Sequence, residues 1–133
     1  MIAVGRRDYP HVEFRVGDLQ ELPAVDGEFG AAIAFYSIIH LEPGELPRAL
    51  EEIHRVLRSG GLFLVAFHIG TEVRHLDEWW GHAVDVDFRF FQPSQIASAI
   101  ERAGLRTEMR LERVSYPGEV ETRRAYLLAR RQP

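Results

Sequence analysis

Cysteine and lysine are both missing from the 133 residues. Without cysteine there is no disulfide, no thiolate metal site and no cysteine nucleophile. Without lysine, all 16 basic side chains are arginine, a bias that GC-rich coding explains more simply than selection for bidentate pairing. Long apolar runs are lacking too: no segment reaches membrane-spanning length, and Met1 to His11, interrupted by Arg6, Arg7, Asp8 and Pro10, has no core of the signal-peptide kind. The expected setting is the cytoplasm, with no membrane contact. A basic excess is missing as well; a net charge of -4 leaves no electrostatic reason to expect a nucleic-acid partner. The six histidines, His11, His40, His54, His68, His75 and His82, show no compact pair at ligand spacing with a third acidic partner, so no metal site is expected. Repeats, low-complexity tracts and long linkers are likewise absent, and residues 1–133 read as one domain.

What is present is a 46% hydrophobic chain with alternating patterns. Val12-Glu13-Phe14-Arg15-Val16 alternates with period two and is closed by Gly17-Asp18, which predicts a strand with one solvated face. Ala31 to Tyr36 is continuously apolar, as a central parallel strand covered on both faces would be. From Pro43 the spacing turns helical, with Leu46, Leu50, Ile53, His54 and Leu57 on one face and Gly60-Gly61 as the expected stop. Leu62 to Phe67 is a second apolar strand, so the succession predicts a right-handed parallel crossover. Residues 68–92 are the least regular, although Val84 to Phe88 alternates like a short exposed strand. A further helix is predicted over 93–103, with Ser94 as cap and Gly104 as terminator, and then two closing strands, Leu105 to Val114 and Ala125 to Ala129, forming an antiparallel hairpin.

Three segments, in this order and spacing, resemble landmarks of class I S-adenosylmethionine-dependent methyltransferases. They are Gly17-Asp18-Leu19, Phe35-Tyr36-Ser37-Ile38-Ile39-His40-Leu41, and Arg55-Val56-Leu57-Arg58-Ser59-Gly60-Gly61-Leu62. The resemblance runs through Ala103-Gly104-Leu105 to the final hairpin. It implies an α/β fold: an incomplete Rossmann-like methyltransferase sheet, parallel strands followed by a C-terminal antiparallel hairpin. The family's opening strand, glycine-rich turn and second strand are not among these residues, and Met1 to Arg6 resembles the helix that follows them. A chain cut or started internally is therefore expected, with methyl transfer to a small-molecule acceptor as the ancestral activity and weak or no S-adenosylmethionine binding by this chain alone.

By the same resemblance Asp18 would accept from the adenine amino group, with Leu19 supplying a backbone N–H and apolar cover. Read as an isolated residue, Asp18 is equally a turn former. Tyr36 and Ser37 fall at the carboxyl end of a central strand, where open α/β sheets place ligands. His40, one turn on, would line the same cofactor site, and Trp79 and Trp80 lie in the interval where family members build a cap over the acceptor. One tryptophan is expected to anchor in the core and the other to line a pocket or interface. If a base is needed, His40 or His68 is the residue type that serves. In the family sheet, residues 12–16 would stand roughly 14 Å from the Ala31 strand at ~4.8 Å per strand. Exposing the faces around Ile33 and Phe35 would forfeit roughly 1.5 to 3 kcal/mol per large side chain. Homo-oligomerisation through the open sheet edge, or a repaired sheet with 12–16 paired elsewhere, is the expected remedy.

Overall fold

Leu46, Ala49, Leu50 and Ile53 repeat at three- and four-residue intervals, and these side chains are buried in a helix, α2 (Leu46–Val56), with Pro47 in its first turn. A computed structural model describes all residues 1–133, beginning with α1 (Ile2–Asp8), the helix anticipated at the start of the chain. The two apolar runs form β1 (Phe29–Phe35) and β2 (Leu57–His68), paired in parallel with Ile33 opposite Leu64. The helix α3 (Pro93–Arg102) leads into β5 (Leu105–Arg113), and β6 (Arg124–Arg131) inserts antiparallel between β5 and β2. The resulting order β1-β2-β6-β5 is the expected mixed sheet, parallel at one side and closed by the antiparallel hairpin. A separate hairpin, β3 (Val73–Trp79) and β4 (His82–Arg89), fills the interval after β2.

Helices α2 and α3 cover one face of the sheet. Phe63, Val65 and Phe67 of β2 and Ala125, Leu127 and Ala129 of β6 alternate onto that face and join Ile96 and Ile100 in the core. The opposite face carries the register rows Ile33–Leu64–Leu128–Met109 and Phe35–Ala66–Tyr126–Leu111. Ile33 is 67% exposed and Phe35 49%. On this chain, then, β1 is an edge strand with one face open, not the central strand covered on both faces that its apolar run predicts, and an apolar sheet face as well as the β1 edge is open.

Several local expectations need correction. Residues 12–16 form no strand: they pair with nothing, so the repaired sheet is not what forms. Their alternation instead serves side-chain ties. Arg15 reaches Glu28 and the Pro23 carbonyl, Arg6 donates to the Phe14 carbonyl, and Phe14 packs over Gly5. The helix α2 stops at Val56 rather than at Gly60-Gly61, because Leu57 is already extended and pairs with Phe29. At α3 the cap position is Gln92, not Ser94, since Pro93 itself begins the helix. The Gly104 terminator holds, with φ +90° and His54 close behind it.

The β3–β4 turn is two residues long, and both Trp80 (φ 51°) and Gly81 (φ 77°) have positive φ. This is a type I′ turn, for which Asn-Gly is the favoured pair. A bulky residue there costs on the order of 1 kcal/mol. Trp80→Asn is therefore expected to stabilise the hairpin by about 1 kcal/mol, seen as slower amide exchange across β3 and β4.

Candidate functional site

Tyr36 leaves β1 with φ 51°, a left-handed conformation that a tyrosine does not adopt without cost. The turn throws its ring across the carboxyl end of the sheet, where β2 delivers His68 alongside, with ring centroids 5.0 Å apart. His68 in turn stacks on Phe90 at 5.4 Å, and Arg74 lies over Phe90 at 4.8 Å. These groups wall a cavity of about 400 Å³, within the range of small-molecule sites. Ile39 and His40 enter from the short 3-10 turn Ile38–His40, Leu76, Trp79 and Phe88 from the hairpin, and Val120 and Thr122 from the β5–β6 connection. The hairpin is fastened over the cavity by Arg89, which bonds the Leu41 carbonyl at 3.2 Å and Glu42 at 2.9 Å, and by His40 Nδ1 at 3.3 Å from the Asp87 carbonyl.

Electrostatics in this wall are set by burial and by arginine. Burial first, then the Arg124 and Arg74 guanidinium groups, push the His68 pKa below its ordinary value, so the ring is neutral near pH 7. Burial and the Tyr126 hydroxyl, 3.0 Å away, push the Tyr36 phenol up, so it stays protonated. Tyr126 accepts from Arg113 at 3.0 Å. On the hairpin, His75 holds Asp87 at 2.8 Å through Nδ1 and Asp77 at 2.8 Å through Nε2. With carboxylates on both nitrogens both must donate, and the pKa is raised, Asp87 being the larger cause. A raised folded pKa means the clasp is complete below the ordinary histidine range and is lost as pH rises through the raised value. Tryptophan fluorescence is expected to report a looser hairpin tip above that pH, and His75→Gln to abolish the transition.

The cavity gathers two of the five residues proposed for the cofactor, Tyr36 and His40, and adds His68. Asp18, Leu19 and Ser37 do not line it. Asp18 Oδ1 accepts from the Gln20 backbone N–H at 2.7 Å, the turn-forming use of aspartate, while its other oxygen has no partner. Leu19 packs against the core, and Ser37 Oγ is buried without a hydrogen bond. The tryptophans fit the pattern only in part: Trp79 lines the cavity, but neither ring is in the core, and Trp80 is 87% exposed at the turn. Arg74, Phe90, Val120 and Thr122 carried no motif and were missed. They reach the cavity only through the pairing of β3 with β4 and the insertion of β6.

Comparison with known proteins places this geometry. Residues 1–61 match the family described as "Methyltransferase domain". A demethylmenaquinone methyltransferase of Chlorobaculum parvum is 34% identical over 61 residues, which is 46% of this chain and 24% of that protein. A ubiquinone/menaquinone biosynthesis C-methyltransferase of Methylobacterium nodulans is 30% identical over an alignment covering 78% of this chain and 51% of that protein. The chain thus spans about half or less of the curated relatives it matches. Among solved structures, a SAM-dependent methyltransferase from Methanosarcina mazei superposes with a TM-score of 0.78 at 12% identity, covering 90% of this chain and 67% of that one. Sequence landmarks, the family match over residues 1–61 and relatives all support a class I, Rossmann-like methyltransferase, and the mixed sheet has that fold.

Proposed function

We propose that this chain forms the acceptor side of an S-adenosylmethionine-dependent methyltransferase acting on a flat, largely apolar small molecule. The observation that carries the reading is the cavity of about 400 Å³ at the carboxyl ends of β1 and β2, walled by Tyr36, His68, Phe88 and Phe90. Aromatic walls suit a planar ring, and the relatives named for quinone methylation act on ring systems of that kind. The cofactor supplies an activated methyl group, which needs no further polarisation. The residues present fit it: Ser37 Oγ is a buried polar atom without a partner, and Asp18 keeps one carboxylate oxygen free for an amine donor. Ser37 and Asp18 would hold it, with Leu19 as apolar cover. The remaining work is positional: the walls orient the ring and exclude water, and the hairpin covers it.

Two groups at the two ends of a long ligand do not make a strong site, so S-adenosylhomocysteine titrated calorimetrically into this 133-residue chain is expected to bind weakly or not at all. Micromolar affinity or better overturns that expectation. For the acceptor side, 1,4-naphthoquinone is expected to quench Trp79, and Phe90→Ala to abolish the quenching; quenching unaffected by that substitution overturns the cavity assignment.

The open sheet face supports a second reading, a self-associating module. Ile33, Phe35, Met109 and Leu111 together leave an apolar surface of the kind that marks an interface. Light scattering is expected to give more than a monomer mass, falling to the monomer in Ile33→Asp. A wild-type monomer at tens of micromolar removes this reading.

A further inference from the structure

The two histidines of the cavity are held in opposite tautomers. The Asp87 carbonyl, 3.3 Å from His40 Nδ1, can only accept, so Nδ1 carries the hydrogen and the neutral ring has its lone pair on Nε2. At His68 the logic reverses. Thr122 Oγ1 lies 2.7 Å from His68 Nδ1 and already accepts from Arg124 at 3.2 Å. Its own hydrogen has one acceptor within reach, His68 Nδ1. With Arg124 donating to Thr122 and Thr122 donating to His68, the Thr122 hydroxyl and His68 Nδ1 are both satisfied, and the imidazole hydrogen is left on Nε2. The opposite tautomer would leave the Thr122 hydroxyl hydrogen without a protein acceptor. Because Nδ1 is taken and the ring lies against Tyr36 and Phe90, Nε2 is the polar atom His68 has left for an occupant.

We infer that the cavity takes an acidic enol or phenol flanked by a carbonyl, with His40 Nε2 accepting its proton and His68 Nε2–H holding the carbonyl oxygen. The inference rests on reading the cavity as the acceptor pocket. In the proton step the O–H bond of the acceptor breaks, its hydrogen bonds to His40 Nε2, and the electron pair stays on the acceptor, delocalised onto the oxygen that His68 holds. His40 is exposed and passes the proton on to water. Arg74 and Arg124 bear on the same wall, one over Phe90 and paired with Glu72, the other behind Thr122 and paired with Glu119. A histidine pinned as a donor cannot also be the base, which separates two residues that residue type alone made interchangeable.

The test has two arms. Long-range proton–nitrogen spectra of this chain are expected to show His68 as the Nε2–H tautomer and His40 as the Nδ1–H tautomer, with Thr122→Val releasing the His68 preference. Finding Nδ1–H at His68 overturns the assignment whether or not methyl transfer is ever observed. Binding is read with 2-hydroxy-1,4-naphthoquinone, whose visible band reports its ionisation. His68→Ala is expected to weaken it about tenfold, and His68→Gln, which keeps an N–H near the Nε2 position but no basicity, to recover most of that loss. Equal losses in the two variants overturn the donor role. Failure of the wild-type chain to bind the probe, with the tautomers as stated, would instead count against the acceptor-pocket reading itself.

Discussion

Replacing Glu52 with alanine is expected to lower stability by about 3 to 5 kcal/mol, the range for removing one partner of a buried ion pair. Glu52 is 2% exposed on α2 and is gripped bidentately by Arg55, Nε and Nη2 both at 2.8 Å. Its Oε2 also accepts from the Leu22 backbone N–H at 2.8 Å. Arg55 continues to the carbonyls of Leu22 and Ala24 and to Asp26. One carboxylate thus ties the loop of residues 18–26 to the helix. Arg48 adds a bond to the Gln20 carbonyl and Gln20 one to Glu45. In the variant Arg55 loses its bidentate carboxylate, keeping Asp26 and two carbonyls, and the Leu22 N–H loses its acceptor.

The same carboxylate makes an acid-dependence prediction. Arg55 first, then the Leu22 N–H, hold the Glu52 pKa down at about 2. A depressed folded pKa contributes stability that is complete above the ordinary carboxylate range and is lost as pH falls towards 2. The contribution is about 3 kcal/mol at 1.36 kcal/mol per pH unit. Urea midpoints at pH 7, 5 and 3 are expected to fall steeply in the wild type and more gently in Glu52→Ala. A melting temperature within about 2 °C of wild type at pH 7 would show that the loop does not depend on this pair. A loosened loop also frees Asp18, so any residual S-adenosylhomocysteine binding should weaken further.

Which features were readable from sequence follows from where their physics resides. Helix α2 and strands β1 and β2 were legible because the residues themselves carry a helical period or an apolar run, although on β1 that run leaves one face open, with Ile33 67% exposed. The end of α2 was not, since Leu57 turns extended to meet Phe29, a partner 28 positions away in sequence by subtraction of the two residue numbers. Val12 to Val16 shows the converse failure. Alternation is necessary for a half-buried strand but does not supply the neighbour that makes it one. Tyr36 and Ser37 were found from their place at a strand end and His40 from the family resemblance, yet only Tyr36 and His40 meet at the cavity. The other walls come from a hairpin whose turn uses Trp80 where asparagine or glycine would have announced it, so β3 gave no turn signal. The role of His68 was invisible for a different reason: it depends on Thr122, 54 residues away, and on which atom of that hydroxyl faces the ring.

Glu119→Ala is expected to be the most damaging change at the cavity floor, at about 2 to 4 kcal/mol, because it strands a buried arginine. Arg124 is 5% exposed and its Nε already has no hydrogen-bond partner. Its neutralising group is Glu119, at 3.1 Å, which also takes both terminal nitrogens of Arg113 at 2.8 and 2.9 Å and the Tyr116 N–H at 2.7 Å. Arg113 first, then the Tyr116 N–H, keep the Glu119 carboxyl at about 2. The expected loss extends below the buried-pair range of about 3 to 5 kcal/mol because the Glu119 side chain is 31% exposed. If the damage is the stranded charge, removing that charge must repair it. Arg124→Met in the Glu119→Ala background should therefore recover about 1 to 3 kcal/mol, a coupling measurable in a double-mutant cycle by urea denaturation. It should not recover the site. Without Arg124 the Thr122 hydroxyl loses its donor and becomes free to accept from His68, so probe binding is expected to stay weak while stability returns. Additive losses in the cycle would mean that Arg124 is satisfied without Glu119, and restored binding in the double variant would mean that the Arg124–Thr122–His68 chain does not set the chemistry of the cavity.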